Sequence, residues 1–217
     1  MLKCIIFDMD GTLIDSEKVY IQGFYHAFLR HNFNLTLEDV KVFIGMSGEA
    51  ELLELDKITN DRAVTLQIMN DMLNFAKKEM TDNTVSLKKG AKELLAYFRD
   101  GGFNIGLATS TFKNSALVTL DTTLMLPFFD FLVFGDDVSR PKPDKMIYEL
   151  AIKKSGFKAS ECIVIEDSHS GVTSAIAANL PVIQLIDDVT PLEIATYTVR
   201  SLSEIKLIIE SSRSEKR

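Results

Sequence analysis

The sequence predicts an α/β fold in which a doubly wound parallel sheet carries an inserted, all-helical domain. Short and nearly continuous apolar runs alternate with helical segments, which is typical of a parallel sheet covered by helices on both faces. About a hundred residues separate the first two apolar runs, whereas a simple βαβ unit takes roughly 30 residues. The spacing therefore indicates an insertion after the first strand.

Five apolar runs are predicted strands. The apolar character of each run is continuous rather than alternating, as expected when both faces of a sheet are buried. Ligands of such sheets bind beyond the carboxyl ends of the strands, so the residues that follow each run are candidate functional residues. The runs are CIIF before Asp8, FNIGLA before Thr109, FLVF before Gly135, CIVI before Glu166 and PVIQLI before Asp187.

Three helical segments are predicted between these strands. Each ends at glycine or asparagine, the residues that most readily adopt the left-handed conformation that terminates a helix. The segments cover residues 88–100, 145–154 and 171–178. Strand, helix and stop signal recur in order, which supports the doubly wound arrangement.

The insertion carries only helical signals. An apolar stripe at helical spacing is followed by an N-terminal cap at residues 36–39 and by a long helical segment at residues 61–80. We therefore predict an α/β core of residues 1–15 and 85–217 and a helical cap of residues 16–84. Because the insertion leaves the core directly after the first strand, we expect it to lie above the carboxyl edge of the sheet, where it could close over a ligand. The stripe consists of Tyr20, Phe24, Ala27 and Phe28.

Composition and charge exclude several classes of protein. The 217 residues, 46% hydrophobic and 25% charged, are typical of a folded globular domain and not of a disordered protein. A net charge of -7 disfavours nucleic acid as a partner, and no apolar stretch is long enough to predict a membrane span. Cys4 and Cys162 lie in apolar runs, as reduced thiols do, and the first strand leaves no room for a signal peptide. We therefore expect a cytoplasmic protein, and the sequence leaves its oligomeric state open.

The motif DMDGT places Asp8 and Asp10 at the end of the first predicted strand. Gly11 permits a tight turn, and the hydroxyl of Thr12 is available to bond a carboxylate. An Asp-Gly pair after a strand can by itself be only a turn. The residues at later strand ends decide between a turn and a site.

Three further polar clusters follow later strands. Residues 109–111, Thr-Ser-Thr, supply hydroxyl and backbone N–H groups at the predicted start of a helix, where phosphate oxygens are commonly held. Lys142 follows the third strand, and Glu166 with Asp167 ends the fourth. Because the carboxyl ends of parallel strands share one edge, we expect all four clusters to converge there.

The carboxylates expected at the carboxyl edge of the sheet predict a bound cation. The four carboxylates of these clusters would repel one another, and some would stay protonated at neutral pH unless a cation lay among them. Hard oxygen ligands without a cysteine or histidine pair favour Mg²⁺, which binds a few carboxylates, water and a substrate phosphate. A phosphate monoester is then the natural substrate class, with one aspartate attacking phosphorus and the other protonating the departing oxygen. The carboxylates are those of Asp8, Asp10, Glu166 and Asp167.

Four motifs, in order and over nearly the whole chain, resemble those of the haloacid dehalogenase superfamily. The helical insertion after the first motif is similar to the cap of the phosphoglycolate phosphatase and β-phosphoglucomutase type. The resemblance implies an aspartyl-phosphate intermediate, Mg²⁺ as cofactor and a small phosphorylated metabolite as substrate. The motifs are DMDGT, LATS, KPD followed by IYELA, and IEDSHSG.

The resemblance also implies roles for individual residues. Phosphotransferases of the superfamily retain the second aspartate of the first motif and dehalogenases generally lack it, so Asp10 implies phosphoryl transfer. By resemblance, the nucleophile is Asp8, the general acid and base is Asp10, the phosphate binders are Thr109 and Ser110, the charge-stabilising cation is Lys142, and the metal ligands are Asp8, Asp10, Glu166 and Asp167.

The third motif departs from the family pattern of lysine, proline, any residue and a second proline. Here Lys145 replaces the second proline. Alignment of the helix that follows keeps Lys142 in register, whereas a shifted loop would bring Arg140 to the same place. We favour Lys142, and either residue supplies a cation.

The cap bears on the choice of substrate. Residues 45–49 resemble the family loop that contacts the leaving group, which makes Gly45 and Ser47 candidate substrate contacts. A sugar phosphomutase of this type is expected to have an arginine in this loop and a histidine early in the first cap helix, where this chain has Gly48 and Tyr20. We therefore predict a phosphatase, a phosphoric monoester hydrolase. The alternatives are a phosphomutase of the β-phosphoglucomutase type and, against the evidence of the long insertion, a noncatalytic phosphoacceptor.

Overall fold

The chain divides into two compact units. In the sheet unit, residues Met1–Asp15 combine with Ser86–Arg217, and the helical unit is Ser16–Val85. The two units are described separately below. The computed structural model describes residues 2–43, 49–82, 85–186 and 190–214.

The sheet unit contains six parallel strands. They are β1 (Cys4–Phe7), β2 (Asn104–Ala108), β3 (Phe131–Val133), β4 (Cys162–Glu166), β5 (Val182–Leu185) and β6 (Tyr197–Val199). Their spatial order is β3-β2-β1-β4-β5-β6, so the chain builds outward from β1 in one direction and from β4 in the other. This order is the doubly wound arrangement and confirms the predicted fold class.

Helices occupy most of the remaining described chain. They are α1 (Glu17–Arg30), α2 (Glu49–Thr59), α3 (Arg62–Asp82), α4 (Ala91–Asp100), α5 (Lys113–Thr122), α6 (Met146–Ser155), α7 (His169–Ala177) and α8 (Leu202–Ser214). In the sheet unit, α6 packs against β2, β3 and α7, whereas α4 packs against β2 and α8. No helix of the described residues combines the length and the apolar character that crossing a membrane requires.

The helices predicted to begin at residues 88 and 171 begin at other residues in the structure. The helix predicted from residue 88 begins at Ala91, because Gly90 has φ 87° and the left-handed backbone there interrupts helical geometry. The helix predicted from Gly171 begins earlier, at His169, because the hydroxyl of Ser168 accepts a hydrogen bond from the Gly171 N–H at 3.1 Å and caps the helix.

The helical unit has an aromatic core. The ring centroids of Phe24 and Phe43 lie 4.6 Å apart, and those of Phe28 and Phe43 lie 5.9 Å apart. Thr36 and Asp39 exchange hydrogen bonds between side chain and backbone, so the predicted cap is present, but it begins a short 3₁₀ helix instead of an α-helix. The apolar stripe of α1 and the inner faces of α2 and α3 thus bury one continuous core.

The registers of the sheet explain where polar groups gather. Phe7, the last residue of β1, pairs with Leu107 on one side and Ile165 on the other. The next residues, Asp8 among them, therefore leave the sheet together at its carboxyl edge. Cys4 and Cys162 pair at the opposite end of the same strands, and both are buried free thiols.

Candidate active site

Asp8 and Lys142 form a buried ion pair at the carboxyl edge of the sheet. The Asp8 N–H donates to the carbonyl oxygen of Ile165 at 2.9 Å, which extends the β1–β4 ladder and fixes the backbone of Asp8. Lys142 Nζ lies 2.6 Å from Asp8 Oδ1 and 2.6 Å from Glu166 Oε1. It donates its third hydrogen bond to the carbonyl oxygen of Ala108 at 3.1 Å. Every N–H group of the ammonium thus has an acceptor, and only 3% of the Lys142 side chain is exposed.

The other candidate cation of this loop lies elsewhere. Arg140 is exposed, and its Nε lies 2.8 Å from Asp144 Oδ2. The backbone of Asp144 is fixed in turn, because its carbonyl oxygen accepts a hydrogen bond from the hydroxyl of Ser174 at 2.6 Å. The loop between β3 and α6 therefore directs Lys142 inward and Arg140 outward.

Glu166, the last residue of β4, has a fully buried side chain. Its Oε2 accepts hydrogen bonds from the N–H groups of Asp167 and Ser168, at 2.9 and 3.0 Å, and from the Ser168 hydroxyl at 3.0 Å. A Cβ atom at position 171 would overlap the Glu166 carboxylate, so Gly171 provides the space for it in the first turn of α7. The carboxylate is held from both sides and cannot swing into solvent.

Asp167 is oriented by the turn that follows β1. The hydroxyl of Thr12 donates to Asp167 Oδ1 at 2.8 Å, which makes Thr12 the carboxylate partner that its place in DMDGT suggests. Gly11 has φ 76°, and a Cβ atom there would overlap the Asp167 carboxylate. The first motif thus fixes the position of the Asp167 carboxylate, which lies 155 residues after Thr12 in the chain.

Asp10 is held by the polar turn after β2. The hydroxyl of Thr111 donates to Asp10 Oδ2 at 2.6 Å, and the N–H of Thr111 donates to the hydroxyl of buried Thr109 at 3.0 Å. Ser110, between them, is exposed. Residues 109–111 were expected at the start of a helix, but α5 begins at Lys113, so these hydroxyls lie on the connecting turn.

The acidic side chains form a compact group, and their burial shifts the pKa values of Asp8 and Asp167. One oxygen each of Asp8, Glu166 and Asp167 lies within 4.8 Å of the others. Burial raises the pKa of Asp8 well above its usual range and outweighs the opposing effect of Lys142. Burial, with Glu166 adding to it, also raises the pKa of Asp167 to about 8. Burial alone would lower the pKa of Lys142, but Asp8 and Glu166 raise it well above its usual value, so the ammonium stays charged.

This acidic group fits a divalent cation. Its donors are hard carboxylate oxygens, the ligands that Mg²⁺ prefers. Thr12 is the only other side chain of the described residues that donates to the Asp167 carboxylate, which leaves Asp167 room to accept a cation, and no described residue donates to Asp8 Oδ2. A cation there would counteract both causes that raise the pKa values of Asp8 and Asp167, their burial first and the neighbouring carboxylates second.

The structure brings most of the predicted site residues together and adds one. The predicted residues of the sheet unit lie at the ends of β1, β2 and β4 or on the loop before α6. One set of hydrogen bonds joins Asp8, Lys142, Glu166 and Asp167, and a second joins Asp10 to Thr109 through Thr111. Gly45 and Ser47 lie outside the described residues. Tyr148 was not predicted as a site residue, although it belongs to the IYELA segment of the third motif. Its hydroxyl donates to Glu166 Oε1 at 3.1 Å.

The chain was compared with known proteins. Residues 5–185 match the model of a family described as haloacid dehalogenase-like hydrolase. The chain is 30% identical to the "Phosphorylated carbohydrates phosphatase" of Thermotoga maritima over 179 residues, 82% of either protein. It is 32% identical over 173 residues to the "Pyrophosphatase PpaX" of Bacillus velezensis, which covers 79% of this chain and 77% of that protein.

A solved structure, the family IA, variant 3 HAD hydrolase of Entamoeba histolytica, is similar in fold, with a TM-score of 0.77 and 23% identity over 94% of this chain and 95% of that one. The family model spans far more than half of the sequence, from β1 to the end of β5. The match confirms the resemblance carried by the four motifs and the predicted class of enzyme, a hydrolase. The chain belongs to the haloacid dehalogenase-like hydrolases.

Proposed function

We propose that this hydrolase is a Mg²⁺-dependent phosphatase that releases phosphate from a small phosphorylated metabolite through an aspartyl phosphate on Asp8. One observation carries the proposal: Asp8 presents one oxygen to Lys142 at 2.6 Å, and among the described residues nothing donates to the other. A nucleophile needs this combination of a fixed carboxylate and an available oxygen. The names of the two curated relatives, a phosphatase of phosphorylated carbohydrates and a pyrophosphatase, are consistent with phosphate ester or anhydride substrates.

In the first step, Asp8 Oδ2 attacks the phosphorus atom of the monoester, and the bond from phosphorus to the leaving oxygen breaks. Asp10, which Thr111 orients at 2.6 Å, gives its proton to the leaving oxygen, so the alcohol departs neutral. Lys142 balances the charge of the carboxylate and of the phosphoryl oxygens that approach it. The buried ammonium is already in place, because its three acceptors fix its position before substrate binds.

In the second step, Asp10, now a carboxylate, takes a proton from water, and the water oxygen attacks phosphorus. The bond between phosphorus and Asp8 breaks, which releases phosphate and restores the carboxylate. Thr109 and Ser110 are proposed to hold phosphate oxygens through hydroxyl and N–H groups on the turn after β2. The same turn carries Thr111, so phosphate binding and the orientation of Asp10 are linked through one short segment.

The proposed metal site narrows the predicted set of ligands. Asp8 and Asp167, which belong to the compact acidic group, would hold Mg²⁺, and Asp10 is kept as a third ligand on the family resemblance. Glu166, whose two oxygens already accept hydrogen bonds, would act on the ion by its charge. When bound, the ion would offset the negative charge of the acidic group and of the substrate phosphate.

The helical unit is proposed to be the cap that selects the substrate, with Gly45 and Ser47 as substrate contacts. Hydrolysis is preferred to mutase chemistry because Gly48 and Tyr20 stand where a mutase is expected to carry arginine and histidine. Incubation with a sugar 1-phosphate distinguishes the two, since a phosphatase releases phosphate and a mutase returns an isomeric sugar phosphate. We also propose a cytoplasmic location, consistent with the free thiols of Cys4 and Cys162.

The test is hydrolysis of p-nitrophenyl phosphate by wild-type protein and by Asp8→Asn, with Mg²⁺ or with EDTA. We expect activity only in wild type with Mg²⁺, and a loss of about 10³-fold or more in Asp8→Asn, because the amide cannot form the phosphoenzyme. A panel of phosphorylated metabolites then identifies the substrate. Equal, background rates for both proteins over the whole panel would refute the proposal.

A further inference from the structure

Tyr148 is a buried tyrosine whose hydroxyl lies beside the Glu166 carboxylate and the Lys142 ammonium. It lies in the first turn of α6 with 0% of its surface exposed, in the apolar cluster that also contains Ala108, Val133 and Val164. Its hydroxyl donates to Glu166 Oε1 at 3.1 Å. A buried hydroxyl costs free energy unless it is bonded, and a phenylalanine would fill the same apolar space. Packing therefore accounts for the ring, and the contact with the pair of Glu166 and Lys142 accounts for the hydroxyl.

The ring of Tyr148 also contacts the ammonium group that approaches Asp8. Lys142 Nζ lies 5.1 Å from the centroid of the ring, within the range of a cation–π interaction. The three hydrogen bonds of Lys142 go to Asp8, Glu166 and the Ala108 carbonyl. Tyr148 thus contacts both members of the pair, the anion through its hydroxyl and the cation through its ring.

The carboxylate of Glu166 is the link between Tyr148 and Asp8. Its Oε2 accepts hydrogen bonds from the backbone after β4. Among the described residues, its Oε1 accepts hydrogen bonds only from Lys142 and Tyr148. Without the hydroxyl of Tyr148, Lys142 would be the remaining donor to Oε1 among the described residues, and the position of this oxygen would be less restrained. A shift of Oε1 would move the acceptor that keeps Lys142 Nζ within 2.6 Å of Asp8.

We infer that Tyr148 is a positioning residue for phosphoryl transfer: it fixes Glu166 and covers the ammonium of Lys142, and so holds that ammonium against Asp8. The inference rests on the proposed function. Tyr148 is fully buried and its described contacts in the site are with Glu166 and Lys142, so we infer that it acts through these two residues. The chemistry needs the cation at a fixed distance from Asp8, and the phenol supplies the rigidity.

The test compares two tyrosines that make the same pair of contacts. Tyr97, on α4, donates a hydrogen bond from its hydroxyl to Glu210 at 2.8 Å, and Lys206 Nζ lies 4.3 Å from the centroid of its ring. Glu210 and Lys206 both lie on α8. In Tyr148→Phe we expect kcat for p-nitrophenyl phosphate to fall about tenfold with KM changed less than about twofold, as for the loss of a hydrogen bond to a charged group. In Tyr97→Phe we expect both constants to stay at the wild-type values. The rates are divided by the folded fraction from thermal unfolding at the assay temperature.

A double-mutant cycle separates positioning from a general effect on the fold. In a Lys142→Met background, or Lys142→Arg if the methionine variant is below detection, Tyr148→Phe is expected to change kcat less than about twofold, because the group that it positions is gone or displaced. An equal tenfold loss in both backgrounds would overturn the inference, as would a wild-type kcat in Tyr148→Phe. If wild type itself is no faster than Asp8→Asn, the proposed function fails and this inference fails with it.

Discussion

The carboxyl edge of the sheet and the core of the helical unit bury opposite kinds of side chain. At the carboxyl edge of the sheet, Asp8, Lys142 and Glu166 are all nearly or fully buried. In the described part of the helical unit, no charged side chain is fully buried. His31 Nε2 lies 3.1 Å from Asp71 Oδ2, and the two side chains are 20% and 22% exposed. The helical unit follows the usual rule for a stable core, and the sheet edge violates it.

The difference indicates what each region is built for. Burying charges costs free energy that their mutual attraction often fails to recover, so a buried charged group is weak evidence for stability. The aromatic core of the helical unit stabilises through apolar area removed from water. Substitutions at the sheet edge should therefore affect catalysis first, and substitutions in the helical core should affect stability alone.

Lys142→Met is expected to have the largest effect. It removes the cation between Asp8 and Glu166, and we predict a fall in kcat of about 10³-fold. Because two buried carboxylates then face each other unpaired, we also expect metal-free protein to lose about 3 kcal/mol of unfolding free energy. Steady-state rates and thermal unfolding measure the two effects. Lys145→Met, at an exposed lysine that pairs with Glu149, is the matched control and should change neither. Activity within tenfold of wild type in Lys142→Met would contradict the role given to this cation.

Phe28→Ala tests the other side of the comparison. The Phe28 side chain is fully buried and packs against Phe43 and Phe33. Its truncation should lower the free energy of unfolding by about 3 kcal/mol or more through lost burial and a new cavity. Leu29→Ala, one residue along and 42% exposed, should cost less than about 0.5 kcal/mol. Equal losses in urea unfolding would mean that the aromatic cluster is not the core of this unit.

Most of the fold could be predicted because strand and helix signals are local. Five strands follow from apolar runs that need no knowledge of their neighbours. The sixth, Tyr197–Val199, has an exposed, exposed, buried pattern over three residues at the sheet edge. A strand that pairs on one side only requires little apolar surface, so its sequence contains no run to detect.

The site was less completely predictable because its contacts join distant residues. The acids and hydroxyls follow strand ends, so their convergence follows from the topology of a parallel sheet. The register of the third motif could not be fixed, since Arg140 and Lys142 are both cations and only the three-dimensional loop directs one of them inward. The part played by Tyr148 depends on Glu166, 18 residues later, and no local pattern relates them.

The stability of metal-free protein should fall as pH rises. Folding raises the pKa of a buried carboxyl group above its value in the unfolded chain. Between these two pKa values the folded state binds more protons than the unfolded state, so the free energy of unfolding decreases as the pH rises. For Asp167 the interval runs from 3.8 to about 8. We expect the free energy of unfolding in EDTA to decrease by at most about 1.4 kcal/mol per pH unit from this carboxyl. Millimolar Mg²⁺ should raise Tm more at the alkaline end of the interval than at the acid end.

Asp167→Asn is the control for this dependence. The amide cannot ionise, so the decrease of Tm with pH in EDTA should become shallower than in wild type, and the stabilisation by Mg²⁺ should weaken. Asp121→Asn, on the exposed end of α5, should leave the pH dependence as it is in wild type. A Tm that rises steadily across the interval in wild-type, metal-free protein would show that these buried acids are not destabilised by ionising.

The smallest effect is expected from Thr111→Val. This substitution keeps the shape of the side chain and removes the donor that orients Asp10 Oδ2 at 2.6 Å. We expect kcat to fall about five- to tenfold, as for one hydrogen bond to a charged group, with a Tm near that of wild type. Thr122→Val, on α5, removes a hydroxyl that bonds only to backbone carbonyls and should leave kcat unchanged. If the two variants have equal rates, the orientation of Asp10 does not depend on Thr111, and the polar turn after β2 contributes to phosphate binding alone.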